Sequence, residues 1–164
     1  MLRSPAFLFC LGATKAGTSW LYRHLLTHPE SRFRSIKELH YFNMSRPGQF
    51  DKALRDGDAK IARLAERLGS AAAAEQRADL ARQIEDLADW RDVLARKTID
   101  VAAYRQFLLK GADDARLVGD VTPAYGLLSV DRMQGLAAVA PDTRFVYLIR
   151  DPVERLWSHV RMIA

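Results

Sequence analysis

Residues 6–26 read AFLFCLGATKAGTSWLYRHLL, in which an apolar run, a loop of small residues and an amphipathic run follow one another directly. The apolar run Ala6–Leu11 is short and continuous, which predicts a buried strand. Leu21 and Leu25 share one face of a helix predicted over Thr18–Thr27. A strand, a glycine-containing loop and a helix in this order are typical of phosphate-like anion sites, because N–H groups and the dipole at the helix start favour negative charge.

The loop Gly12–Ser19 contains a single lysine. Its glycines let a ligand approach the backbone closely, and Lys15 adds a mobile positive charge. Lys15 precedes Gly17, whereas the lysine of a Walker loop follows the last glycine. The loop therefore predicts an anion site that differs from the Walker type. The alternative is an ordinary strand-to-helix turn with a solvated lysine.

Positive charge is concentrated in the same part of the chain. Residues 1–50 contain seven Lys/Arg and two Asp/Glu, whereas residues 51–97 and 98–164 are each neutral. The whole net charge of +5 thus surrounds the loop, which indicates a compact anionic ligand. The basic residues form no aromatic-basic stripe, and no apolar run reaches the roughly 20 residues that span a bilayer. We therefore expect neither nucleic acid nor a membrane span.

The length and the cysteine content fit a single domain in a reducing compartment. At 164 residues the chain is long enough for one domain with a sizeable core. Cys10, the one cysteine, cannot form an internal disulfide and predicts a cytoplasmic protein. Because Cys10 lies in the apolar run, its expected role is core packing. The chain shows no His/Cys/Asp cluster at ligand spacing, so no metal is expected.

Strand and helix patterns alternate along much of the remaining chain. Ser31–Asn43 is predicted as a strand plus a loop, and Arg116–Gly119 and Arg144–Ile149 are predicted as strands. Val130–Val139 is predicted as an amphipathic helix. This order predicts an α/β fold of the P-loop-like, three-layer type, with a central parallel sheet and helices on both faces.

The last helix has a clear start signal. Asp151 is a favourable N-cap, Pro152 suits the first helical position, and Glu154 suits the third. Arg150 directly precedes this start and follows the predicted strand Arg144–Ile149. Ligands of parallel sheets bind at the carboxyl ends of strands, so we expect Arg150 to lie near the loop Gly12–Ser19.

Residues 51–97 differ in character from both flanks. Apolar residues recur there at helical spacing, charges of both signs alternate with them, and Gly69-Ser70 is the predicted break. This pattern predicts a solvated helical hairpin, which we interpret as an insertion or a lid within the domain and not as the chemical site.

Two stretches together resemble the sulfotransferases that use 3′-phosphoadenosine 5′-phosphosulfate (PAPS). Residues 15–19, KAGTS, resemble the family's K-[AG]-G-T-[ST] loop, which grips the 5′-phosphosulfate. Residues 150–158, RDPVERLWS, resemble its R-[DN]-P-x-[ED]-R-x-x-S segment, which grips the 3′-phosphate. Both occur here in the family's order and secondary-structure setting.

Two further stretches extend the resemblance. Residues 37–42, KELHYF, resemble the K-E-x-H-F-F segment of sulfotransferases that act on carbohydrate, whose glutamate is regarded as the base. Residues 122–125, TPAY, resemble the family's [ST]-P-x-Y turn. Val121 stands where the glycosaminoglycan-modifying branch often has a lysine.

The resemblance implies roles for particular residues. Lys15 would stabilise the leaving group, and Glu38 would remove the acceptor proton. Lys37 would keep Glu38 ionised or act as a second anion contact. His40 is the alternative base. The remaining donor contacts would be Ala16, Gly17, Thr18, Ser19, Arg150 and Ser158. The alternatives without a functional role are a surface position for Glu38, a simple ion pair for Arg150, and a hydroxyl bonded to its own helix for Ser158.

The implied reaction moves a sulfuryl group from PAPS to a hydroxyl or amine of a carbohydrate-like acceptor, without metal, and leaves the product PAP. The resemblance covers residues 6–50 and about 101–164. The family's domain continues beyond the helix of Ser158, so the resemblance implies a domain truncated at its C-terminus. The alternatives are a catalytically inactive nucleotide-binding or interaction module, and a nucleoside-phosphate kinase. The sequence leaves the acceptor's identity and the oligomeric state open.

Overall fold

A four-stranded parallel sheet forms the centre of the structure, a computed structural model that describes residues 4–163. Its strands, in the spatial order β2-β3-β1-β4, are β1 Ala6–Gly12, β2 Ser31–Phe33, β3 Leu117–Val121 and β4 Thr143–Tyr147. The helices are α1 Thr18–Thr27, α2 Pro47–Ser70, α3 Ala74–Leu94, α4 Val101–Leu109, α5 Val130–Ala137 and α6 Pro152–Ile163. Two 3-10 segments span Tyr41–Asn43 and Pro123–Leu127.

The alternating side chains of β1 separate two hydrophobic layers. Phe7 and Phe9 are fully buried on one face, in the main core built with α3, α4 and the two 3-10 segments. Cys10 points to the other face, where it packs with Tyr22 and Leu25 of α1. Cys10 is therefore a core residue, as predicted. The three-layer α/β fold with a parallel sheet is confirmed.

Most predicted elements are found with small shifts of their ends. Helix α1 has the predicted bounds, and α6 begins at Pro152 with the Glu154 N–H donating to the N-cap carboxylate of Asp151 at 3.0 Å. Strand β4 ends two residues earlier than predicted and lies at the edge of the sheet. Helix α4 was not predicted from the sequence, and its one clear signal is Asp100, whose side chain accepts from the Ala103 N–H at its start.

The predicted helical hairpin is present as α2 and α3, and its break follows Ser70. The base of the hairpin is more deeply built into the protein than its charge pattern predicts. Phe50, Trp90 and Leu94 all belong to the main core. Its distal half packs around a separate apolar cluster formed mainly by Leu64, Leu80 and Leu87. Most of the balanced charges lie on the outer face, but Asp86 of α3 is buried.

Arg34, one residue after β2, anchors the hairpin. Its side chain is only 3 % exposed and pairs with Asp86 at 3.0 Å and with Asp89. The guanidinium also lies over the ring of Phe107 in α4, 4.6 Å from the centroid. One buried cation therefore joins the sheet to both α3 and α4.

Helix α6 and the edge strand β4 carry an unusual amount of exposed apolar surface. The large exposed side chains there include Phe145, Tyr147, Val153, Leu156 and Trp157. Within residues 4–163 no helix combines the length and the apolarity needed to cross a membrane.

We predict that Asp86→Ala lowers the free energy of unfolding by about 3 kcal/mol, because it leaves part of a buried cation unpaired. Urea denaturation measures this loss. The control is Asp58→Ala, which breaks the exposed pair between Asp58 and Arg91 and should cost less than about 1 kcal/mol. Equal losses in the two variants would contradict the anchoring role of Arg34.

Candidate active site

The segments singled out in the sequence all lie at the carboxyl edge of the sheet. In the spatial order of the strands, Glu38 follows β2, Thr122 follows β3, Lys15 follows β1 and Arg150 follows β4. All strand pairs are parallel, so these ends lie side by side. This is the edge at which parallel α/β sheets bind ligands.

The loop after β1 has the backbone of an anion cradle. Lys15 has φ 67° and Gly17 has φ 100° and ψ 10°, both in the left-handed region, so the chain turns sharply into α1. Gly17 is the N-cap and has no side chain to bond the first N–H groups of the helix, which have no partner within the helix itself. No acidic residue lies in the first turn. The start of α1 is thus both open and electropositive.

The start of α6 lies against this loop. Arg150 Nη1 donates to the backbone oxygen of Lys15 at 3.4 Å, and Arg150 Nη2 pairs with Glu154 at 2.6 Å. The alternative of a simple ion pair therefore describes only part of the arginine's contacts. Since the guanidinium carries five donors, it retains capacity for an anion.

Ser158 is on the inner side of α6. It is the one partly buried residue among Pro152–Ile163, all the others being exposed. Met162, one turn further along, receives a weak contact from Lys15 Nζ at 3.7 Å. Among the hydrogen bonds of residues 4–163, none joins the Ser158 hydroxyl to its own helix. The structure thus brings Lys15, Arg150 and the helix of Ser158 together.

Glu38 lies between two basic side chains. Its Oε1 is 2.6 Å from Lys37 Nζ and its Oε2 is 3.2 Å from His40 Nε2. The hydrogen bond to His40, and then that to Lys37, lower the pKa of Glu38 to about 2 although partial burial opposes the shift. The bond to Glu38 in turn raises the pKa of His40 above its ordinary value. Glu38 is therefore ionised at neutral pH, and both His40 and Lys37 stabilise its charged form.

An open depression of about 290 Å³ lies beside His40. Asn43 and Met44 line it, together with Gln49 and Lys52 of α2. The hairpin thus lies closer to the candidate site than the sequence predicted. No local signal marks Gln49 or Lys52, because their contact with the depression depends on how α2 packs.

A larger depression, of about 460 Å³, lies at the opposite edge of the sheet. It is lined by the beginnings of the strands, including Ala6, Ser31 and Leu117. Ligands of parallel α/β sheets bind at the other edge, so we assign the smaller depression to the site. Within residues 4–163 no group of three His, Cys, Asp or Glu side chains is arranged to hold a metal ion.

Comparison of the sequence with known proteins gives the family of this chain. The sequence profile described as "Sulfotransferase family" matches residues 5–164. The chain belongs to the sulfotransferase family. Both candidate anion contacts, the loop after β1 and the segment that begins at Arg150, lie within the matched residues.

Curated relatives are similar over almost the whole of this chain. Carbohydrate sulfotransferase 15 of Homo sapiens is 27% identical over 173 residues, and that of Rattus norvegicus is 30% identical over 174 residues. Each alignment covers 96% of this chain but 27% of the relative, so the chain spans about a quarter of their length. No solved structure matches the chain.

We predict that His40 titrates above 6.5, its ordinary pKa, and that Glu38→Gln brings its pKa back toward that value, because the carboxylate stabilises the imidazolium. Titration of the His40 ring protons by NMR measures both. The control is Glu30→Gln, which removes an exposed carboxylate paired with Arg116 and should leave His40 unchanged. A His40 titration unaffected by Glu38→Gln would contradict the pairing.

Proposed function

We propose that this chain is a PAPS-dependent sulfotransferase that acts on a hydroxyl or amine of a carbohydrate. The observation that supports the proposal is the closeness of the two candidate anion contacts, since the Arg150 guanidinium reaches the Lys15 carbonyl oxygen at 3.4 Å. Membership of the sulfotransferase family and the printed names of the relatives support the reaction and the acceptor class. A cytoplasmic location remains a prediction from the single cysteine.

The residues at the carboxyl edge suit a donor with two anionic ends. When bound, PAPS supplies the sulfuryl group that is transferred. The start of α1 would hold the 5′-phosphate. The contacts would come from the backbone of Ala16, Gly17, Thr18 and Ser19 and from the hydroxyls of Thr18 and Ser19. Arg150 and Ser158 would hold the 3′-phosphate, since arginine matches phosphate oxygens with paired donors.

Lys15 is placed to stabilise the charge that develops during transfer. Lys15 has a left-handed backbone conformation within the loop after β1. Its ammonium group contacts the Met162 sulfur and has no carboxylate partner among residues 4–163. A cation that is not neutralised by the protein interacts more strongly with negative charge on the leaving oxygen. We therefore assign leaving-group stabilisation to Lys15.

Glu38 is assigned to proton removal from the acceptor. A carboxylate with a pKa of about 2 is a weak base while both Lys37 and His40 are bonded to it. An acceptor hydroxyl that enters the depression beside His40 and takes the place of one cation would restore basicity to one carboxylate oxygen. His40 and Lys37 then serve to keep Glu38 ionised and oriented before the acceptor binds.

The depression offers the mixed surface that a sugar ring needs. Met44 and Ala53 provide apolar contact, whereas Gln49, Lys52 and His40 provide polar groups. At about 290 Å³ it is near the lower end of the range for ligand sites, roughly 300–1,000 Å³. We propose this depression as the place where the acceptor group approaches Glu38.

Lys15→Ala should abolish sulfuryl transfer and weaken PAP binding at least about 10-fold, because one charged contact to the donor is lost. Calorimetry with PAP and a radiolabelled transfer assay measure the two effects. The control is Lys60→Ala, which removes an exposed lysine of α2 and should change neither. Near-normal turnover in Lys15→Ala would contradict the assigned role.

Glu38→Gln should lower kcat about 100-fold or more and leave the affinity for PAP within a factor of about two, because the residue acts on the acceptor. The pH profile identifies the base. A Glu38 base with a pKa of about 2 gives no rise in kcat/KM between about pH 5 and pH 8. A His40 base gives a rise centred above pH 6.5, because the imidazole must lose its proton first. Loss of PAP binding in Glu38→Gln would make Glu38 a structural residue.

A further inference from the structure

Asp120, at the carboxyl end of β3, is a buried acidic residue that the proposed reaction does not use. It is 2 % exposed. The Tyr104 hydroxyl donates to it at 3.1 Å and the Thr122 hydroxyl at 2.9 Å. Burying a carboxylate is unfavourable unless it is well bonded, so a residue of this kind needs a reason beyond core packing.

The bonds around Asp120 lead directly to the Glu38 segment. The Thr122 hydroxyl, which donates to Asp120, accepts the backbone N–H of His40 at 3.5 Å. The backbone N–H of Leu39 also faces Asp120. Burial raises the pKa of Asp120, and the hydrogen bonds from the nearby hydroxyls and from the Leu39 N–H oppose this rise. Two consecutive backbone N–H groups next to Glu38 are therefore turned toward one buried carboxylate and its hydroxyl partner.

The same segment has an unfavourable backbone conformation. Glu38 has φ 62° and His40 has φ 54°, both in the left-handed region that non-glycine residues rarely adopt. Such conformations persist only where surrounding contacts hold them. With Leu39 buried between them, the side chains of Glu38 and His40 both turn outward and meet at 3.2 Å.

We propose that Asp120 and Thr122 are positioning residues that hold the Glu38–His40 segment in its left-handed conformation, so that Glu38 faces the acceptor. The buried carboxylate fixes the direction of the Thr122 hydroxyl, which leaves the hydroxyl's lone pairs for the His40 N–H. The proposal rests on the function proposed above for Glu38. It differs from a purely structural role because loss of the hydroxyl should disturb the Glu38–His40 pair specifically.

The experiment compares Thr122→Val, which replaces the hydroxyl by a methyl group, with Thr122→Ser, which keeps the hydroxyl. Tyr22→Phe is the matched control, because it removes another buried hydroxyl, which bonds the Arg34 backbone oxygen at 2.8 Å outside the site. Thr122→Ala, which adds no bulk, is the second variant should Thr122→Val fail to fold. The measurements are kcat, PAP affinity and the NMR titration of His40.

In Thr122→Val we expect kcat to fall about 10- to 100-fold, PAP affinity to stay within a factor of about two, and the pKa of His40 to fall. Thr122→Ser should restore kcat and the titration, and Tyr22→Phe should leave both as in the parent. The proposal is overturned if Thr122→Val keeps the kcat and the His40 titration of the unsubstituted protein. It is also overturned if Tyr22→Phe changes both quantities to the same extent as Thr122→Val. The His40 titration needs no acceptor, so it tests the positioning role even if the unsubstituted protein transfers no sulfuryl group. That absence of transfer would overturn the proposed function and not the positioning role.

Discussion

Strand β1 pairs in parallel with β3 on one side and with β4 on the other, and this pairing determines where the candidate site forms. It brings the ends of all four strands to one edge, so segments that are more than 100 residues apart in the chain become neighbours there. Gly119 allows the close approach within this pairing, because a Cβ atom at that position would lie 1.8 Å from the Leu8 backbone oxygen. The Lys15–Arg150 contact and the Thr122–His40 contact both follow from this arrangement.

The electrostatics of that edge divide into two halves. Around β1 and β4 the positive groups, the start of α1 and Lys15 among them, are left largely available for anions. Around β2 and β3 the carboxylates have partners within the protein, since Glu38 is paired with Lys37 and His40, and Asp120 accepts hydrogen bonds from hydroxyl groups. The groups around β1 and β4 suit the binding of a nucleotide sulfate, and the groups around β2 and β3 suit the removal of a proton from the acceptor. Family membership and geometry thus agree on the type of reaction proposed.

The sequence predicted those parts of the molecule that local patterns determine. The strand, loop and helix around Lys15 and the start of α6 at Pro152 depend on neighbouring residues, and they are found where they were predicted. The break of the hairpin comes directly after the predicted Gly69-Ser70, because α2 continues to Ser70. The role of Arg34, the depression beside His40 and the Asp120 network were not predicted, because each depends on how separate elements pack in the folded chain. Arg34 meets Asp89 across 55 residues of sequence, and His40 meets Thr122 across 82. Helix α4 was missed because no apolar periodicity was assigned to residues 98–115. The roles of individual site residues remain predictions.

We propose that two separate contacts at one sheet edge hold the two anionic ends of a single nucleotide. Calorimetry with PAP, with AMP and with ATP plus Mg²⁺ tests it most directly, because AMP lacks only the 3′-phosphate that Arg150 and Ser158 would hold. We expect PAP to bind without metal and at least about 10-fold more tightly than AMP. Equal affinities for PAP and AMP, or binding of ATP alone in a Mg²⁺-dependent manner, would contradict it.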